Sequence, residues 1–180
     1  MRTVELLLDA DLDTAVRELW RRLADAGLPS LGDHQHRTNR PHLTLSEAQH
    51  LDVPALRQAL RRSLPLPTSP AHLGVFTSER HPRAVLHVAL VPTPALVALH
   101  SHVHELLLQA GAAPAAHLPP GRWSPHVTLS LRLPVSQLTT AVALLADWRD
   151  RAGWLVGART YDSGERAVEA LTEGDDYRPP

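Results

Sequence analysis

The chain has 180 residues, 43% hydrophobic and 21% charged, which is enough to bury a core and excludes global disorder. It contains no cysteine, which removes disulfides, thiolate metal sites and a thiol nucleophile, and its net charge of -1 gives no general attraction for long nucleic acid. No apolar run reaches the roughly 18 residues that cross a bilayer, and Met1 to Asp9 lacks the basic region and cleavage site of a signal peptide, so a cytoplasmic chain is expected.

In chain order, Thr3 to Asp9 reads as an apolar strand. Asp13 to Ala26 reads as a helix with Val16, Leu19, Trp20 and Leu23 on its apolar face and Gly27 as its stop. His42 to Ser46 is a second strand. Val53 to Leu64 is a helix between Pro54 in its first turn and Pro65 just past its end. His72 to Thr77 and Arg83 to Val91 are strands joined by a polar turn. Pro94 to Ala110 is a helix ended by Gly111, and a Pro-rich loop from Pro114 to Pro125 leads into strand His126 to Leu133. Gln137 to Asp150 is expected to be helical, and Trp154 to Tyr161 and Arg166 to Leu171 form strands around a Ser163-Gly164 turn. Residues 173–180 read as a frayed tail.

The order of elements repeats, and so do particular residues. At the offset of 84 that separates His42 from His126, Leu12 falls on Leu96, Leu23 on Leu107, and Ala26-Gly27 on Ala110-Gly111. Pro41-His42 falls on Pro125-His126, and Thr44-Leu45-Ser46 on Thr128-Leu129-Ser130. The expected fold is therefore α+β, a single domain over 1–180 with repeat halves of about 1–82 and 83–172. These halves form two pseudo-symmetric lobes of antiparallel or mixed sheet, with helices outside and a cleft between them.

Side chains alternate along a strand, so His42, Thr44 and Ser46 share one face and Leu43 and Leu45 the other. By the same alternation His126, Thr128, Ser130 and Arg132 share a face, opposite Val127, Leu129, Leu131 and Leu133. Each motif thus presents an imidazole beside a hydroxyl. Two histidines flanking one phosphate suit phosphodiester cleavage, one neutral to take a proton and one protonated to give it. The hydroxyls of Thr44 and Thr128 are placed to bind non-bridging oxygens. The scheme requires no metal and no cofactor, and the near-equivalence of the repeats leaves open which histidine is acid and which is base.

The pair His42-Leu43-Thr44-Leu45 and His126-Val127-Thr128-Leu129 resembles the hallmark of the two-histidine (2H) phosphoesterase superfamily, which includes the 2'-5' RNA ligase-like proteins and cyclic nucleotide phosphodiesterases. Gly74-Val75-Phe76 followed by Arg83-Ala84-Val85-Leu86 resembles the family's Gly-x-Phe turn and following strand, and Trp123-Ser124-Pro125-His126 its aromatic-x-Pro-His lead-in. The resemblance implies hydrolysis of a 2',3'-cyclic phosphate or a related 2'-5' phosphodiester, or the same chemistry reversed to join RNA ends. Many relatives carry an arginine five positions after the second histidine; here Leu131 holds that place and Arg132 follows. The competing class is a binding module that holds a nucleotide or RNA-end phosphate without turnover. An intact acid and base favour the enzyme, because binding alone does not need them.

Other residues carry weaker signals. Trp123 suits either stacking on a base or packing beside its strand. Arg40 and Arg122, just before the two motifs, are candidate phosphate contacts. His100 and His104 have a zinc-compatible spacing but no acidic companion, so a polar helix face is expected there. His34 and His36 read as solvated loop residues, Arg57, Arg61 and Arg62 as a solvated helix face, and His87 as a packed core histidine. The expected partner is a small nucleotide or RNA end, with no membrane partner, and the chain is expected to be a monomer.

Overall fold

The structure, a computed structural model, describes residues 1–36, 38–78 and 81–172, with the side chains of Ser78 and His81 left aside. The expected tail at 173–180 lies outside the described residues. Strand β1 (Arg2–Leu8) is followed by helix α1 (Ala10–Asp25), strand β2 (His42–Ala48), helix α2 (Val53–Ser63), and strands β3 (Leu66–Thr68), β4 (Pro70–Ser78) and β5 (His81–Leu90). Helix α3 (Pro94–Gln109), strand β6 (His126–Pro134), helix α4 (Leu138–Leu144), and strands β7 (Gly153–Asp162) and β8 (Ala167–Ala170) complete the chain. Short 3-10 turns occupy Leu31–Asp33 and Val135–Gln137. No helix among the described residues is long and apolar enough to cross a membrane.

The helix starts follow capping chemistry. The Asp9 carboxylate accepts from the Leu12 amide at 2.8 Å, so β1 stops at Leu8 and α1 begins three residues earlier than the apolar periodicity alone predicts. Thr93 caps α3 through Leu96, and Asp52 caps α2 through Ala55. Gly27 and Gly111 sit at φ 68° and 70°, the left-handed region in which glycine closes a helix. Helix α4 is shorter than the expected Gln137–Asp150. It lacks a side-chain cap, and the guanidinium of Arg22 captures the Leu144 carbonyl that would otherwise carry the helix onward. Strand β3 has no counterpart among the expected elements; it forms because Leu66 to Thr68 pair with β7.

The sheet runs β3-β7-β1-β2-β6-β5-β4, with β8 added on β7, and every strand pair among the described residues is antiparallel. The sheet thus takes the antiparallel form of the expected antiparallel or mixed arrangement. At its centre β2 meets β6 through Leu43 opposite Val127, so a residue faces its own counterpart at the offset of 84. Helices α1 and α3 differ by the same 84 at both ends. The outer strands of the two lobes are exchanged: β4 lies before residue 82 yet pairs with β5, while β7 pairs with β1. The spatial lobes are therefore β1-β2-β7 and β4-β5-β6, each built from both sequence halves.

Helix residues Leu12, Val16, Leu23, Leu96, Val103 and Leu107 form one core with Leu43, Leu45, Val127 and Leu129. Each fully buried leucine of this kind contributes about 1.5–3 kcal/mol. That burial anchors the two motif strands and leaves their other face open.

Candidate active site

Strands β2 and β6 hold the motif residues at the joint of the lobes. With Leu43 opposite Val127, His42 falls opposite Thr128 and Thr44 opposite His126. The two histidines are then diagonal neighbours on one face, roughly 7–8 Å apart at Cα. Both imidazoles are fixed in the same way. His42 donates from Nδ1 to the Arg40 carbonyl at 2.7 Å, and His126 donates from Nδ1 to the Ser124 carbonyl at 2.7 Å. A carbonyl only accepts, so the proton sits on Nδ1 in each neutral ring and the lone pair on Nε2.

The strands diverge beyond the joint, and two indoles satisfy carbonyls of the motif strands. Trp20 Nε1 donates to the Thr128 carbonyl and Trp123 Nε1 to the Thr44 carbonyl, each at 3.0 Å. Each motif threonine is thus braced by a tryptophan from outside its strand.

The matched pair lies in unmatched surroundings. Opposite Thr44, β1 places Glu5; opposite Thr128, β5 places His87. Glu5 is buried, its Oε1 lies 3.6 Å from His42 Nε2, and its Oε2 accepts from Arg159 Nε at 2.7 Å. Burial opposes its charge, but His42, Arg159 and the Thr3 hydroxyl outweigh burial and hold the carboxyl below its ordinary range. On the other side His87 is buried and its pKa is pushed down to about 4, first by burial and then by His126. Its ring lies 4.9 Å from that of His126 and stacks on Phe76 at 4.2 Å. His126 itself is pushed below its ordinary value, chiefly by burial and then by the charges of His42 and His117, against the pull of the Ser124 carbonyl. The charge of His42 reaches His126 because the two imidazoles share one cleft.

Simple alternation fails just after each motif. Val4 pairs with Ser46 but Glu5 with Thr44, leaving Leu45 as an extra residue in β2. Leu86 pairs with Ser130 but His87 with Thr128, leaving Leu129 extra in β6. These bulges, again 84 apart, shift the facing of the residues beyond them. Ser46 and Ser130 are each 1% exposed and turn to the core, so Ser130 is not a cleft residue. Leu131, expected in the core, is 52% exposed. The alternation that puts Arg132 on the face of His126 therefore does not hold; Arg132 is exposed within a second register shift, between the Ser130 and Leu133 pairs.

Other candidates are committed elsewhere. Trp123 stacks on buried His100 with centroids 4.1 Å apart and planes 3° apart, so packing accounts for its ring. His100 Nε2 bonds the Leu118 carbonyl at 3.0 Å. Arg40 pairs with Asp13 at 3.1 Å, and Arg122 is exposed in the loop before β6. Arg57 pairs with Glu169. Among the described residues no group of three or more histidines and carboxylates is placed to hold a metal ion. Sequence reasoning misses Glu5, Arg159 and Phe76 as site residues. Glu5 leaves one trace, a lone carboxylate inside the apolar run Thr3 to Leu8; Arg159, 154 positions away, leaves none.

The chain is similar in fold to Usb1 of Kluyveromyces marxianus, with 13% identity, a TM-score of 0.53, and 96% of this chain and 97% of that one covered. The same protein with uridine monophosphate gives 15% identity and a TM-score of 0.51, covering 96% and 97% of the two chains. A structure described as a phosphoesterase gives 15% identity and a TM-score of 0.50, covering 94% and 92%. No curated protein matches the sequence. The family model of the 2'-5' RNA ligase superfamily matches residues 9–160, and the chain belongs to that superfamily. Membership supports a phosphoesterase or RNA-processing role.

Proposed function

We propose that the chain is a phosphodiesterase that opens a 2',3'-cyclic phosphate, or cleaves a related 2'-5' phosphodiester, by acid–base catalysis from His42 and His126 without a metal. The observation that carries this reading is the pair of imidazoles, each held through Nδ1 by the carbonyl two residues upstream, which leaves Nε2 of each ring as the nitrogen for acid–base chemistry. The substrate class is a small nucleotide or an RNA end, and the unit that acts is one duplicated domain.

The surroundings favour one division of labour. His126, with its lowered proton affinity, is neutral near pH 7 and suits the base. Glu5 supplies the counter-charge that an imidazolium at His42 needs, which suits the acid. In the hydrolytic direction His126 Nε2 takes a proton from water as its oxygen bonds to phosphorus. The bond from phosphorus to one ribose oxygen breaks, and that oxygen takes the proton from His42 Nε2. The Thr44 and Thr128 hydroxyls donate to the non-bridging oxygens as charge builds. Proton exchange with solvent restores both rings.

The test is a product assay on nucleoside 2',3'-cyclic phosphates and 2'-5' dinucleotides with EDTA present. Turnover is expected in the chelator, and His42→Ala and His126→Ala should each lower kcat by about 100- to 10,000-fold. Activity that vanishes with EDTA and returns with zinc sinks the mechanism. Tight nucleotide binding without any product points instead to the non-catalytic module.

A further inference from the structure

The two halves satisfy the same two carbonyls with different side chains. At the offset of 84, His34 corresponds to Leu118 and Thr44 to Thr128. In the first half the lead-in loop holds itself: Asn39 Nδ2 donates to the His34 carbonyl at 2.9 Å and to that of Leu31 at 2.8 Å. In the second half the matching Leu118 carbonyl accepts instead from His100 Nε2 at 3.0 Å, a donor on helix α3. The motif carbonyls show the reverse. That of Thr128 is met by an indole from helix α1, Trp20, and that of Thr44 by an indole from the lead-in loop, Trp123. Helix and loop have traded tasks, and the sequence records the trade: Trp123 stands at the place of Asn39, and His104 at the place of Trp20.

Trp123 uses its one N–H on Thr44, so the second loop cannot hold its own carbonyl as Asn39 does, and His100 takes over that task. Its ring is 1% exposed, and burial above all lowers its proton affinity, so it is neutral with its N–H on Nε2. The same ring lies flat on the Trp123 indole, with centroids 4.1 Å apart and planes 3° apart. One side chain therefore fixes the loop at two points. Ser124, the residue after Trp123, offers the carbonyl that takes the Nδ1 proton of His126. An unheld neutral imidazole exchanges between two tautomers, and the bond at Nδ1 decides which nitrogen keeps a lone pair.

We propose that His100 is a positioning residue for both motifs: from α3 it sets the lead-in loop so that the Ser124 carbonyl selects the Nδ1–H tautomer of His126 and the Trp123 indole meets the Thr44 carbonyl. The inference rests on the acid–base reading for its consequence in turnover, since a His126 protonated on Nε2 has no lone pair there to act as base. The tautomer itself is independent of that reading.

The test combines long-range proton–nitrogen spectra of the histidine rings in the full, isotope-labelled chain with steady-state kinetics on a nucleoside 2',3'-cyclic phosphate. In the wild type both His42 and His126 should show Nδ1–H. In His100→Leu, which fills the space but carries no donor, His126 should lose that preference, while His42, held by Arg40 on the other loop, keeps it. kcat should fall about 10- to 100-fold with KM changed less than about twofold. His100→Gln returns a side-chain amide of the kind Asn39 supplies in the first half, and should restore the tautomer and most of kcat. If His100→Leu does not fold, His100→Phe replaces it, with the stack kept and the donor lost, and the same shift confined to His126 is required. A His126 spectrum unchanged without the donor, a shift shared equally by His42, or a glutamine variant no better than the variant without a donor overturns the inference. The expected tautomer shift in a chain that turns over no cyclic phosphate keeps His100 in this role and removes the phosphodiesterase.

Discussion

Glu5 is the residue that separates two otherwise equal histidines. Both rings use Nδ1 in the same bond, and both stand one strand-width from a threonine; only His42 has a carboxylate within 3.6 Å of Nε2 among the described residues. The carboxylate stays charged in a buried setting because Arg159 and Thr3 bond it as well. Glu5→Gln keeps the shape and an acceptor but removes the charge that stabilises an imidazolium. The expected result is a kcat/KM down roughly tenfold, the worth of about 1.4 kcal/mol, with the fall in kcat rather than KM. Steady-state assays of the variant check this, and an unchanged kcat would show that Glu5 only braces Arg159.

The elements create the site by parting where an ordinary sheet would continue. β2 and β6 meet at Leu43 and Val127, and the indoles of Trp20 and Trp123 bond the carbonyls of Thr128 and Thr44. A bulge then follows each motif, turning Ser46 and Ser130 inward. Trp123→Phe retains the stack on His100 and removes only the N–H. An unsatisfied Thr44 carbonyl costs about 1–3 kcal/mol, visible as a lower midpoint in urea. Because that carbonyl belongs to the motif threonine, kcat should fall more than KM rises. Equal stability and kinetics in the variant would show that water replaces the indole without consequence.

Across the whole molecule the duplicated pattern is the most legible part of the sequence. The capped and glycine-closed helices, the two motif strands and the α+β class follow from apolar periodicity and from local chemistry at Asp9, Gly27, Thr93 and Gly111. Pairing between distant segments sets the rest. The exchange of β4 and β7 between lobes, the added strand β3, and the bulges at Leu45 and Leu129 depend on partners that no local window contains. Alternation holds for His42 to Leu45 and for His126 to Leu129 and fails one residue later, so it misplaces Leu131 in the core and Ser130 in the cleft. The acid–base asymmetry is illegible for the same reason: β1 and β5 supply Glu5 and His87 at one register position, and the residues bear no resemblance to each other.

The proposed acid and base come from different halves of the chain, so the intact molecule's pH–rate profile tests them together. The measurement is kcat/KM for a nucleoside 2',3'-cyclic phosphate from pH 4.5 to 9 in EDTA. A bell is expected whose acid limb lies below pH 6.5, because His126 must lose its proton to act and holds it less tightly than an ordinary imidazole. An acid limb above pH 6.5, a profile with a single limb, or activity abolished by the chelator would contradict the assignment of His126 as base and His42 as acid in a metal-free site.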